Sequence, residues 1–188
     1  MNDLAQLNFL KSQDLLPSNV FLDFGCGQLD GGIPIVEYLD EGNYFGTDVR
    51  IRILVDGQRN MKAAGLKKKK KPNFVHLDTY EALPFSDRFD FIWAFSVLTH
   101  LNDHQIQKAL NFAAQWLKID GHFLANVTKG EAKDGDWEGF PKVSRSVHFY
   151  EEKAKVAGLK MKNLGRLSEL GFDHTDDQEI MLSFCKEI

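Results

Sequence analysis

The sequence predicts a three-layer α/β fold, with a seven-stranded, mostly parallel sheet between two helical layers and one antiparallel strand at its end. Three observations predict it. Short apolar runs alternate with longer amphipathic stretches from Val20 to Gly158, and such alternation implies crossovers, hence parallel neighbours. Several runs, FDFIWAF above all, are apolar at nearly every position, as strands covered on both faces must be. Finally, residues 159–164 and 180–184 read as two successive strands; their hairpin inserts one strand antiparallel to the rest.

The elements follow in order. Leu4, Leu7, Phe9 and Leu10 predict an N-terminal helix ending before Pro17, packed on or capping the core. Residues 20–24 form a buried strand that stops at Gly25. Residues 33–39 form a helix entered through Gly31 and Gly32, with Pro34 tolerated in its first turn. A second strand, 44–48, ends in Asp48, and a helix over 51–64 is stopped by Gly65. Five lysines at 67–71 then read as a solvated loop, and 73–77 is a third strand closing on Asp78. Residues 89–95 form the central strand. Asn102 with Gln105 is a capping box that opens a helix through Leu117, ended by Gly121. A fifth strand spans 122–127, residues 129–146 read as a polar, Gly-rich loop, and 150–157 is a helix stopped by Gly158.

At 188 residues the chain is expected to form one domain. A net charge of −4 gives no bulk attraction to nucleic acid or to a membrane surface. Two distant cysteines, Cys26 and Cys185, are neither a disulfide framework nor a metal site. The expected setting is soluble and cytoplasmic, as a monomer or homodimer, with neither nucleic acid nor membrane as partner.

In an open parallel sheet the ligand crevice lies beyond the carboxyl ends of the strands, where strand order reverses. The first strand delivers Asp23, Gly25, Cys26 and Gly27 to that edge. Glycine there lets a ligand pack on bare backbone, and the next helix points its free amides at the crevice, which suits a carboxylate. Asp48 ends the second strand, where a carboxylate accepts ribose hydroxyls, and Asp78 ends the third. Any one strand-end Asp can cap a turn; three on consecutive strands point to a ligand.

The segment VFLDFGCGQLDGG closely resembles motif I of class I S-adenosyl-L-methionine-dependent methyltransferases, with Asp23, Gly25 and Gly27 in place. Leu29 stands where that motif usually has its third glycine, as in a bacterial subgroup reading Gly-Cys-Gly-any-Leu-any-Gly-Gly; Gly31 and Gly32 are expected to supply the close helix approach. Leu83-Pro84-Phe85, Phe89-Asp90 and His100-Leu101 resemble the stretch around motif IV. The resemblance is good over residues 20–128 and looser beyond. It implies a Rossmann-like fold and S-adenosyl-L-methionine as cofactor, held by Asp23, Gly25, Cys26, Gly27, Asp48, Val49, Asp78, Thr79, Phe95 and Ser96. Carboxylates such as Asp23 suit a cationic cofactor better than a pyrophosphate.

The same resemblance places the loop after the fourth strand against the reacting methyl group. His100 is therefore the candidate base, with a loop-fixing hydrogen bond as its other reading. Trp137 and Phe140 in the polar loop, and Phe9 and Leu10 in the first helix, are candidates for a lid or simply for docking on the core. No metal is expected, since Leu101 follows His100 where a zinc-protease helix carries Glu. The segment Ser96-Val97-Leu98-Thr99 lacks the Asp/Asn-Pro-Pro-aromatic motif of adenine-N6 enzymes, and the paired glutamates of protein-arginine enzymes are missing. The acceptor expected is a small molecule, sugar or natural-product intermediate. Two alternatives stand beside this reading: a non-catalytic binding protein of the same fold, and a nicotinamide-dependent oxidoreductase. Against the latter, Tyr150 lacks a lysine four residues on.

Overall fold

A computed structural model of the chain describes residues 4–77, 83–84, 88–137, 139–173 and 176–187. Asp78, Thr79 and Phe85 lie outside the described residues. The described elements run α1 (Ala5–Ser12), β1 (Phe21–Phe24), α2 (Gly32–Tyr38), β2 (Tyr44–Asp48), α3 (Ile51–Ala63), α4 (Leu66–Lys70), β3 (Asn73–His76), β4 (Phe89–Ala94), a 3-10 turn (Leu98–His100) and α5 (Asp103–Trp116). They continue with β5 (Leu117–Thr128), β6 (Lys133–Trp137), β7 (Phe140–Ser144), α6 (Val147–Val156), β8 (Leu159–Arg166), a second 3-10 turn (Leu167–Leu170) and β9 (Glu179–Lys186).

Seven strands form one sheet in the order β3-β2-β1-β4-β5-β9-β8. β1 pairs in parallel with both β2 and β4, so the chain first builds outward one way and then the other. That reversal opens the crevice between the carboxyl ends of β1 and β4. β9 inserts between β5 and β8, antiparallel to both. The Rossmann-like sheet with one antiparallel strand is thus the architecture the alternation predicted.

The side-chain period of two divides the sheet residues between two cores. Leu22, Phe24, Ile92, Ala94, Phe123 and Leu182 face α5 and α6. Phe21, Trp93, Leu124 and Met181 face the other way, into a core built with α1, α2 and α3. The second core is strongly aromatic where α1 meets the sheet: Phe9 lies against Trp93 and Phe172, and Phe95 stacks between Trp93 and Phe172. Each such side chain stabilises the fold by roughly 1.5–3 kcal/mol through burial, which holds α1 beside the crevice.

Four expectations need correction. Residues 129–146 are not an irregular loop: they contain the antiparallel hairpin β6–β7, fastened at its base by a bridge between Lys129 and Arg145. Gly121 does not stop α5. The helix ends at Trp116, Leu117 already pairs with Phe89, and the ladder resumes at His122 against Phe91 after a bulge. Residues 67–71 are not a loop, since Lys67, Lys68, Lys69 and Lys70 lie in α4; lysine is a good helix former, and left-handed residues Gly65 and Lys71 bound the turn. α6 starts at Val147 rather than Tyr150 because the Ser146 side chain accepts from the Phe149 amide and caps it. Among the described residues no helix is long and apolar enough to cross a membrane.

Candidate functional site

A cavity of about 450 Å³ opens where the β1 and β4 ends diverge. Its floor is the turn after β1. Gly25 has φ +79° and an added Cβ would stand 2.5 Å from Val97 Cγ2, so the turns after β1 and β4 meet only because position 25 lacks a side chain. The Gly25 and Cys26 amides both donate to the Thr47 carbonyl at 2.8 Å, which pins the turn to β2. Gly27 has φ +55° and open space where a Cβ would be, leaving bare backbone toward the cavity. Leu29 has φ +68° and is fully buried. It adopts a left-handed backbone that glycine takes more readily, and its side chain fills the core beneath α2 and α3. Gly32 admits the Tyr44 hydroxyl and the Leu29 side chain, while Gly31 admits the Gln6 amide from α1; a Cβ at either would collide.

Two carboxylates flank this turn. Asp23 is buried and accepts a 2.6 Å hydrogen bond from the Tyr44 hydroxyl. Burial pushes its pKa up to about 7, the Tyr44 bond opposes the rise, and the Asp48 charge adds to it. Asp48 accepts from the Gly27 amide at 3.0 Å and from the Arg50 amide at 2.8 Å, with Arg50 Nε at 3.3 Å. These bonds fix its carboxylate at the lip of the cavity. Burial, reinforced by Asp23 and Asp48, pushes the Cys26 thiol up, so Cys26 packs as a thiol rather than serving as a nucleophile.

The far wall comes from β4 and its loop. Phe95 and Ser96 line the cavity, and Ser96 holds φ +56° with its amide donating to Asn126 Oδ1 at 2.6 Å. His100 also lines it. Its Nδ1 donates to the Pro141 carbonyl at 2.9 Å, which puts the basic position of the neutral ring on Nε2. The loop-fixing bond and the cavity position are therefore both present in the same side chain.

The roof is the hairpin. Phe140 lines the cavity, and the Arg50 guanidinium lies 5.6 Å from the centre of its ring, a contact across the mouth. The hairpin's anchor is Arg145, buried and ion-paired to Asp103 at 2.8 Å and Asp134 at 2.6 Å. Asp23, Gly25, Cys26, Gly27, Asp48, Val49, Phe95, Ser96 and His100 thus all border one cavity. Gln6 and Arg50 border it too and were not anticipated. A single Gln in an amphipathic helix carries no sequence signal, and Arg50 is legible only once Asp48 is seen to hold its amide. Among the described residues no group of three His, Cys, Asp or Glu side chains is arranged to hold a metal ion.

Residues 22–123 match the family model described as a methyltransferase domain. The chain is 27% identical over 166 residues to alpha N-terminal protein methyltransferase 1 of Arabidopsis thaliana, covering 81% of this chain and 58% of that protein. The chain therefore spans well under two thirds of that relative's length. Among solved structures it superimposes on an S-adenosylmethionine-dependent methyltransferase from Clostridium acetobutylicum with a TM-score of 0.76 and 12% identity, covering 100% of this chain and 93% of that one. It also matches magnesium protoporphyrin IX methyltransferase from Synechocystis with bound SAM, at a TM-score of 0.72 and 14% identity, over 98% of this chain and 78% of that one. At such identities the structural likeness establishes the shared fold.

Proposed function

The chain belongs to the methyltransferase domain family, and on that premise we propose that it transfers the methyl group of S-adenosyl-L-methionine to a small-molecule acceptor. One observation carries the reading: the bare Gly25–Gly27 turn, Asp23 and Asp48 border a single cavity at the reversal of strand order. The residues present fit the cofactor's chemistry. Asp48, held by the Gly27 and Arg50 amides and by Arg50 Nε, keeps a lone pair of Oδ2 for a ribose hydroxyl. Asp23 offers a buried carboxylate to a cationic group, and Gly27 leaves room for close approach.

When bound, the cofactor supplies an electrophilic methyl group on sulfonium. The chain's own part is to align an acceptor with it and to exclude water, and alignment alone accounts for much of the acceleration of a displacement. His100 is the candidate base for an acceptor that starts protonated, a reading supported by its position on the cavity and by the Pro141 bond that orients its ring. Phe140 and Arg50 close the mouth above it. A roofed cavity of about 450 Å³, shared between cofactor and acceptor, favours a compact acceptor.

The similarity to the plant alpha N-terminal protein methyltransferase favours one second reading, the terminal amine of a peptide as acceptor. Incubation with methyl-labelled S-adenosylmethionine separates the two. We expect label to enter a metabolite class and not a panel of peptides with free α-amino groups; the reverse overturns the small-molecule reading. Calorimetry with S-adenosylmethionine and NADH tests the premise, since binding of NADH alone restores the oxidoreductase alternative. Binding of S-adenosylmethionine with no transfer to any acceptor favours the non-catalytic one.

A further inference from the structure

Resting on that cofactor reading, we propose that Gln6 of α1 is a recognition residue of the site, donating from its side-chain amide to the carboxylate of the cofactor's amino-acid part. The Trp93 indole N–H can only donate. It donates to Gln6 Oε1 at 2.9 Å. That bond decides which end of the Gln6 amide is which: the oxygen faces the aromatic core, so the NH₂ group faces away from it. Gln6 lines the cavity, and its amide lies directly against the bare Cα of Gly31. Among the described residues Nε2 makes no hydrogen bond.

The surroundings select the ligand group. Gln6 Nε2 is a donor without a partner among the described residues, and it lies against Gly31 just before α2. Asp23, which borders the same cavity, serves a cation. A ligand fragment carrying both an ammonium and a carboxylate satisfies both groups at once. A nucleoside lacking that fragment meets neither. Gln6 itself is immobilised by Trp93, and Trp93 by its stacking on Phe95, so the donor is pre-oriented rather than recruited.

The test compares S-adenosylmethionine with 5′-methylthioadenosine, which keeps the nucleoside and lacks the amino-acid part. Gln6→Glu retains an acceptor for the Trp93 indole, so α1 stays seated, but replaces the NH₂ donor with a carboxylate oxygen. We expect it to weaken S-adenosylmethionine binding on the order of tenfold or more, as for one lost charge-assisted hydrogen bond, and to leave 5′-methylthioadenosine within about twofold. Gly31→Ala, with φ −91° at that position, displaces the Gln6 amide from the opposite side and should give the same selective loss. A thermal melt of each variant verifies folding. Equal binding of S-adenosylmethionine by wild type and Gln6→Glu overturns the assignment, as does an equal loss for both ligands, which would make Gln6 a support of the whole pocket. Failure of the wild-type chain itself to bind S-adenosylmethionine overturns the cofactor reading instead.

Discussion

Asp23 sits under opposing influences, and they make its behaviour with pH predictable. Folded, its carboxyl keeps a proton up to about 7, against an ordinary value of 3.8. Between those values the folded chain binds more protons than the unfolded one, so this residue's contribution to stability is full below about 4, declines as pH rises, and is gone above about 7. Asp23→Asn, still able to accept from Tyr44, should flatten the decline in melting temperature between pH 4 and 7; an unchanged slope would show that Asp23 is not its source. A cationic ligand acts in the other direction, because it must expel the proton. Affinity for S-adenosylmethionine should fall by up to about tenfold per pH unit below 7 in the wild type, and isothermal titration across pH 5–8 reads it. Leu29 supplies a second test. A left-handed leucine costs roughly 1–2 kcal/mol in backbone energy, whereas emptying its buried site costs about 2–5 kcal/mol. Leu29→Ala should therefore lose most of that range. Leu29→Gly should lose roughly 1 kcal/mol less, reversing the usual order in which glycine is the worse replacement. Denaturant titration of the two variants decides it. The sequence showed that position 29 departs from the glycine pattern; it did not show that the backbone keeps the glycine conformation anyway, because that depends on the volume left between α2 and α3.

At the scale of elements, the hairpin β6–β7 is where local sequence and structure part. KDGDW and FPKVS show neither alternation nor apolar runs, and Pro141 and Gly135 are poor strand residues. What makes them strands is remote: Arg145 reaches Asp103 at the start of α5, and the Pro141 carbonyl accepts from His100. Contacts some forty residues apart leave no periodic trace, whereas β1, β2 and β4 were legible because burial on both faces writes itself into every residue. Likewise α5 was legible at its start, where Asn102 and Gln105 form the capping box, but not at its end, where Leu117 turns straight into the ladder. Since Arg145 holds the roof, Arg145→Met should cost about 1–3 kcal/mol, the usual loss for hydrogen bonds to charged groups. Asp103 and Asp134 are half exposed and would simply be rehydrated. Hydrogen exchange should quicken through residues 133–144 and stay slow in β5 and β9. Equal quickening in β5 would mean that the hairpin is part of the main cooperative unit rather than an appended roof.

The whole molecule divides its labour across the sheet. The buried carboxylates among the described residues, Asp23 and Asp48, alternate in step with Phe21 and Tyr44 and so lie on the face covered by α1, α2 and α3. The cavity draws on α1 through Gln6, on the turns after β1, β2 and β4, and on the hairpin through Phe140. A ligand bridging these parts binds the folded chain and nothing in the unfolded one, so its free energy adds to global stability. At a hundred times its dissociation constant S-adenosylmethionine should contribute about 2.7 kcal/mol, equivalent to a rise of about 5–10 °C in melting temperature for a chain of this size. The rise should grow with the logarithm of ligand concentration and remain a single transition, because α1, the sheet and the hairpin all meet at the ligand. A melt that splits into two steps on adding ligand would show that the parts touching the cavity are stabilised apart from the rest, and would remove α1 or the hairpin from the cooperative unit. A single shifted transition, larger at a given ligand concentration for the wild type than for Asp23→Asn at pH 8, would place the carboxylate at the centre of that coupling.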